Sequence, residues 1–471
     1  MKNLIYIILL VFIGCQNSNN TSDKSVVIAG LLTDPWQYKD SIISQIQPVS
    51  FPDTVFTITD FGAVGDGETD CTEAINNAIT ACSGAGGGMV EITEGVWYTG
   101  AITLKSNVNL HISEGATLLF TTEKTKYLPV VHTRFEGMEC MNYSPLIYAY
   151  KQENIAVTGK GKIDGQGEAW WPWKGKWSGS VDHAYDEQTS ENQLEDVKRL
   201  NQMVADNVPL EERIFGQGHY LRSSFIQPYL CKNVLIEGIS IERSPMWIIH
   251  PVLCENVTVR KVKIESLGPN NDGCNPESCT NVLIDSCYFN TGDDCIAIKS
   301  GRNNDGRRIG VPSKNIVVQN CTMVEGHGGV VIGSEVSGNV SHVFAENCTM
   351  NSPHLERAIR FKTNTLRGGT VEHIYVRNIE VKQVKEAVLK INLFYEGGTG
   401  DNIPVVQNIY LENVNSQRSD YGYWIKGIKN HPVTGIHLVD CSFNNVDNKY
   451  FEENVANITF TNVKINGELL E

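Results

Sequence analysis

Residues 233–236 read NVLI, 256–259 NVTV and 281–284 NVLI. Each is an asparagine followed by three apolar or β-branched residues. The same figure stands earlier as Asn154-Ile155-Ala156-Val157. It returns at Asn315-Ile316-Val317-Val318, His342-Val343-Phe344-Ala345, His373-Ile374-Tyr375-Val376, Asn408-Ile409-Tyr410-Leu411, Gly435-Ile436-His437-Leu438 and Asn457-Ile458-Thr459-Phe460. The shortest steps are roughly 22 to 25 residues and longer ones carry insertions, which is the period of a solenoid. Each unit holds two or three short strands, with asparagine or glycine at corners that need positive φ. A unit of this size buries its apolar face only against its neighbours. A leucine-rich repeat would bring a leucine framework and one helix per unit. Neither is present, so the pattern predicts an all-β parallel β-helix.

Outward from the repeats, residues 71–82 (CTEAINNAITAC) place Ala74, Ile75, Ala78 and Ile79 at helical spacing. This predicts a short N-terminal helix closing the core, with Asp70 or Thr72 as its cap. Strands are expected at Met89–Ile92, Tyr98–Leu104, Val108–Ile112 and Thr117–Phe120. One long insertion, 164–229, opens with DGQGEAWWPWKGKW and carries Trp170, Trp171, Trp173 and Trp177, then a polar helix-prone stretch at 193–200. Its tryptophans either stack on sugar rings or pin the insertion to the barrel wall.

The N-terminus, MKNLIYIILLVFIGC, has an apolar run from Leu4 to Ile13 that is too short to span a bilayer and reads as an export signal. A small residue before Cys15 resembles a bacterial lipoprotein cleavage site, although Phe12 is not the leucine usual at its place. The expected organisation is a signal peptide at 1–14, a lipid on Cys15, a tether and extension over 15–50, and a catalytic β-helix over 51–471. That implies an exported, periplasmic or outer-membrane-anchored protein of a bacterium, touching membrane only through its lipid. Thirteen cysteines would suit a disulfide framework in such a compartment. Cys287, Cys321, Cys348 and Cys441, however, fall at one place in the repeat, as stacked small hydrophobes do. One or two bridges stay compatible with the text, without a named pair. No CxxC pair suggests a metal site.

The formal charge of −15 argues against a nucleic-acid partner and gives no global attraction to a polyanion. An acidic substrate would need a local basic pocket. Between Gly268 and Arg308 three aspartates, Asp272, Asp293 and Asp294, sit on two tight corners about one repeat apart. Downstream follow His327 between glycines and the cations Arg360 and Lys362. One coil shifts the chain by about one strand spacing, ~4.8 Å. A small lateral offset then brings the carboxyls to the roughly 6.5–9.5 Å that inverting glycosidases keep for a water. Neighbours on a strand point to opposite faces, so Asp293 and Asp294 share a face only at a bend, which Thr291-Gly292 supplies. Lys299, Arg302, Arg307 and Arg308 either add positive field or form a solvated loop.

The stretches FGAVGDGETD, GPNNDGCNPES, TGDDCIAIKSG, GHGGVVIGSE and AIRFKTN resemble, in order and spacing, the signatures of glycoside hydrolase family 28, the polygalacturonases. The resemblance runs from about Phe56 to the C-terminus. It implies a right-handed parallel β-helix and inverting hydrolysis of α-1,4-linked galacturonic acid, without cofactor or metal, by a monomer whose partner is an acidic polysaccharide. It implies Asp293 as general acid, Asp272 and Asp294 as the groups that hold and activate water, and His327 as the residue orienting the acid. It also implies Arg360, Lys362 and Tyr395 as substrate contacts, to which the reading of the residues adds Lys299 and Asn271 as candidates. Asn275, where the family often has a second aspartate, and Phe361, where isoleucine is usual, depart from the pattern. The GSE text at 333–335, the NPES text and the Trp-rich insertion resemble bacterial exo-acting relatives, whose insertion walls off one end of the groove. The alternatives are a hydrolase of branched pectin such as rhamnogalacturonan, a calcium-dependent β-helical pectate lyase, and a non-catalytic polysaccharide-binding β-helix.

Overall fold

The structure, a computed structural model, describes residues 34–175 and 191–470. Cys15 with its signal, and Trp177, lie outside the described residues. Pro35–Gln45 forms an α-helix within a unit, Met1–Gln45, apart from the unit Ile46–Glu471.

Ile46–Glu471 is a right-handed parallel β-helix. Its register is the repeat read above: the residue after each asparagine stacks on its counterpart in the next coil. The column runs Ile155, Val234, Val257, Val282, Ile316, Val343, Ile374, Ile409, Ile436, Ile458. All are buried except the last, which is half-buried. Each such side chain contributes about 1.5–3 kcal/mol by leaving water. The preceding residue is left-handed in every coil, with φ of 53° at Asn154, 55° at Asn233, 57° at Asn256 and 58° at Asn281. Asparagine tolerates that conformation better than other side chains. It is held there by a side-chain ladder in which Asn233 donates to Asn154, Asn256 to Asn233, Asn281 to Asn256 and Asn315 to Asn281.

On another face a second inward column runs from Ile102 through Ile147, Ile226, Ile249, Cys274 and Ile296 to Val330 and Ile359. From Ile296 onward this face is a six-stranded sheet: β1 (Ile296–Ile298), β2 (Val330–Gly333), β3 (Arg357–Lys362), β4 (Ala387–Asn392), β5 (Ser419–Lys426) and β6 (Val446–Glu453). The predicted helix spans Thr72–Gly84 and buries Ile75, Ala78, Ile79 and Cys82 against the first coils. The N-cap is Cys71 rather than either expected residue; Asp70, one position earlier, accepts the Thr72 N–H at 2.9 Å. Thr72 itself accepts the Gly100 N–H instead.

Two additions stand outside the coil. Val131–Phe135 and Met138–Asn142 form an antiparallel hairpin, to which Ile214–Phe215 adds in parallel. The insertion carries the α-helix Leu194–Ala205. Trp170, Trp171 and Trp173 are all buried: Trp170 packs edge-on against Tyr127 and Trp173, and the Trp171 N–H donates to the Ser244 carbonyl. These rings pin the insertion to the wall, and none stands out as a sugar platform. Every cysteine among the described residues is a buried free thiol, so the bridges compatible with the sequence do not form there. Cys287, Cys321 and Cys348 stack coil on coil through hydrogen bonds from Thr322 and Thr349 to the Cys287 and Cys321 carbonyls.

Candidate active site

Asp272, Asp293, Asp294 and His327 all lie in the connections that lead into the second column, on three successive coils. The coils stack directly here: the Gly273 N–H donates to the Asp294 carbonyl at 2.9 Å. The bend expected at Thr291-Gly292 is present. Thr291 Oγ1 donates to the Asp293 carbonyl at 2.9 Å, and Asp293 Oδ1 accepts the Asp294 N–H at 2.9 Å. Gly326 has φ 146°, and a Cβ there would lie 2.4 Å from the Asp293 carbonyl. Glycine at that position lets the His327 coil close on the aspartates.

The two adjacent aspartates have different company. Asp293 Oδ1 meets His327 Nδ1 at 3.0 Å. Asp294 is fully buried between Lys362 Nζ at 2.6 Å and Arg360 Nη1 at 3.2 Å. Asp272, one coil earlier, lies 3.3 Å from Lys299 Nζ. Lys299 also meets Glu335 at 3.1 Å and sits 4.3 Å above the Trp247 ring. The Tyr395 ring faces both Arg360 and Lys362, at 5.5 and 5.2 Å. One pocket is lined by Asp272, Asp293, Lys299, Lys362 and Tyr395 together with Trp247, Asn270 and Glu335. The sequence-derived set is therefore one cluster rather than scattered turn residues.

Burial works against an ionised Asp293, but the His327 imidazolium, with Lys362 and Arg360 behind it, holds the carboxyl well below its ordinary range. His327 is raised in turn, chiefly by Asp293. Asp272 is pushed well above the carboxylate range, first by burial and then by Asp293 and Asp294, with Lys299 opposing. The Asp293 charge is one cause of the Asp272 shift, so these two carboxyls titrate together. Lys362 is buried, which lowers it, but Asp294 prevails and sets it at about 12.

Asn271 is not where the sequence reading put it. It is fully buried and accepts from Ser266 Oγ at 2.6 Å and from the Gly268 N–H at 3.0 Å, closing the turn from inside. Its neighbour Asn270, left-handed at φ 55°, turns its side chain to the pocket. Arg302 lines the pocket, paired with Glu136 at 2.7 Å. Arg307 and Arg308 face elsewhere, onto the Arg367 carbonyl and onto Asp305 and Glu139. Phe361 points into the core, as expected, and Asn275 is buried with its amide on the Asp272 carbonyl.

The sequence reading missed several groups. Glu136 comes from the hairpin turn and Lys174 from the insertion, so both additions supply pocket side chains. Behind Asn270 lies Arg222, 1% exposed, with four neutral acceptors: Gln193, the Pro245 and Pro269 carbonyls, and Asn270 Oδ1 at 2.7 Å. Burial lowers this guanidinium to about 9. Non-repeating segments give no period to read, and only Glu335 carried a signal, in the GSE text.

Comparison with known proteins places this geometry. The sequence model of "Glycosyl hydrolases family 28" matches residues 217–465. A probable polygalacturonase of Vitis vinifera is 30% identical over 399 residues, covering 81% of this chain and 72% of its own length. An exo-poly-alpha-D-galacturonosidase of Dickeya chrysanthemi is 28% identical, covering 74% of this chain and 58% of its own. Among solved structures, a hyperthermoactive exopolygalacturonase from Thermotoga maritima is 45% identical with a TM-score of 0.89, covering 93% of this chain and 97% of that one.

Proposed function

Since the chain belongs to glycosyl hydrolase family 28, and is thereby a glycoside hydrolase, we propose that it removes galacturonic acid from the non-reducing end of α-1,4-linked galacturonan, with inversion. The observation that carries this reading is the single pocket holding Asp272 and Asp293 from stacked coils beside Lys299, Lys362 and Tyr395. A uronate brings one carboxylate per sugar into that cationic lining. The hairpin and the insertion both close on the pocket through Glu136 and Lys174, which supports attack at a chain end rather than within the chain.

Asp293 protonates the leaving oxygen, while Asp272 and Asp294 hold the water that attacks from the opposite face. His327 orients Asp293 through its Nδ1. The proton must then sit on Asp293 at the moment of reaction. Lys362 and Arg360 are among the charges that hold Asp293 down, and a bound uronate carboxylate offsets them. That draws Asp293 up toward the protonated form an acid needs. A second assignment exchanges the roles, with Asp272 as acid and Asp293 as base, because burial pushes the Asp272 carboxyl upward. An aryl galacturonide with a good leaving group separates the two: it needs no acid, so it rescues the variant of the acid and not that of the base.

Product analysis on polygalacturonate tests the main reading. Monomer from the outset, released as the β-anomer, is expected; a ladder of oligomers or retention of configuration would overturn it. Export and anchoring at Cys15, with 1–14 as signal and 15–50 as tether, rest on the apolar N-terminal run. Fatty-acid labelling that survives Cys15→Ser would exclude the anchor.

A further inference from the structure

The catalytic sheet does not end at the pocket. Arg360 on β3 pairs in register with Lys390 on β4, Lys390 with Trp424 on β5, and Trp424 with Phe451 on β6. Strand alternation buries Tyr423 and Ile425 and turns Trp424 and Lys426 outward, as it turns Arg360 and Lys362 toward the pocket. Along this outer face two cations, Arg360 and Lys390, are followed by two rings, Trp424 and Phe451. Lys390 Nζ lies 4.7 Å over the Trp424 ring, and Lys426 Nζ lies 5.1 Å over Phe394, which is 46% exposed. Trp424 and Phe451 stack with centroids 4.9 Å apart and planes 18° apart.

We infer that this row, from Lys390 through Trp424 to Phe451 with Lys426 and Phe394 beside it, binds the galacturonate units of the polymer that lie beyond the cleaved bond. The inference rests on the function proposed above and extends it to units the catalytic groups do not touch. Three observations carry it. The row is continuous with Arg360, and its direction is the coil axis, so each step of about 4.8 Å brings a new side chain to a chain lying along it. The faces of Trp424 are taken by Lys390 and Phe451, so the ring offers its edge, the positive end of an aromatic quadrupole, to an anionic ligand. The ammonium groups answer the uronate carboxylates. Lys390 is paired with Glu386, and Lys426 with Glu453 at 3.2 Å. Neither pair is sealed from water, and an ammonium has three donors, so each lysine keeps a donor for a ligand carboxylate while its own partner stays. The hairpin and the insertion close on the pocket through Glu136 and Lys174, which leaves this sheet as the path for the rest of a polymer held by its end.

The test compares digalacturonate with hexagalacturonate in the intact protein, with monomer release as readout and a thermal melt to check folding. Trp424→Leu is expected to raise KM for the hexamer about fivefold to tenfold, the size of a lost cation–π and edge contact, and to leave the dimer unchanged. Phe451→Leu, farther along the row, gives a smaller change of the same kind and serves as the second variant. Equal changes on both substrates, or none on either, overturn the inference. Calorimetric binding of hexagalacturonate to the Asp293→Asn protein, with and without Trp424→Leu, tests the row without turnover. An affinity unmoved by the second substitution refutes it whatever becomes of the hydrolytic reading.

Discussion

Replacing Asp293 by asparagine isolates the acid from the scaffold. Oδ1 of Asp293 is the atom that accepts both the Asp294 N–H and His327 Nδ1. A carboxamide oxygen still accepts both, more weakly than a carboxylate, so the bend keeps its shape while the charge and the transferable proton are lost. General acid catalysis contributes about 10²–10⁴-fold, or roughly 3–5.5 kcal/mol of barrier, and turnover on polygalacturonate should fall by that factor with substrate affinity kept. The stability cost is smaller, about 1 kcal/mol, because both side chains are partly exposed, at 16% and 27%. Its pH dependence has a defined sign. Asp293 is depressed, so its contribution is present above the ordinary carboxyl value of 3.8 and is lost as pH falls through the depressed one. His327 is raised, so its contribution is present below 6.5 and is lost as pH rises through the raised value. Both hold between about pH 4 and 6.5, and melts of the two proteins should differ most there and converge on the alkaline side. Rates come from reducing-sugar release under saturating substrate. A variant within about tenfold of the parent would remove Asp293 from the role of acid.

Arg222→Met leaves four buried neutral acceptors without their donor and loosens the turn that carries Asp272, for a loss of about 3 kcal/mol in urea unfolding together with lower turnover. Asn256→Ala gives up two ladder hydrogen bonds and leaves at φ 57° a side chain that tolerates the left-handed region less well than asparagine, costing about 2–3 kcal/mol; Asn256→Gly, which removes the β-carbon and its strain, should cost about half as much, and equal urea midpoints would contradict the account. Thiol reagents should leave Cys71 to Cys441 unmodified in the native protein and titrate them all after unfolding, since every one is buried and free. Chelator treatment should not lower galacturonate release, and no ultraviolet-absorbing unsaturated product should form; a lyase would show both effects.

The coil was legible because its signal is periodic: the asparagine that must turn left-handed and the aliphatic residue after it recur in step, and those two positions set the register. The aspartates were legible for the same reason, since text one repeat apart becomes space one strand apart. The choice between Asn270 and Asn271 was not legible. Two identical side chains sit in one turn, and only the left-handed φ at Asn270 decides which faces out. Arg222, Glu136 and Lys174 were hidden for a different reason: they lie in additions without a period, and their partners come from other coils. The outer row from Lys390 to Phe451 was hidden too, because its members lie on separate strands about 30 residues apart in sequence and meet only once register is known.

The coil treats its corners unequally. One carries the asparagine ladder, where each rung fixes the next and an extra residue would throw out all that follow. The connections into the second column carry the aspartates and His327, and the hairpin at 131–142 and the insertion at 164–229 both occupy the same corner of earlier coils. The barrel thus works as a rail with one locked edge and one edge for fittings. Exchanging those two fittings with another chain built on the same rail would change which polymer is accepted and where it is cut, while the proton-handling groups keep their positions.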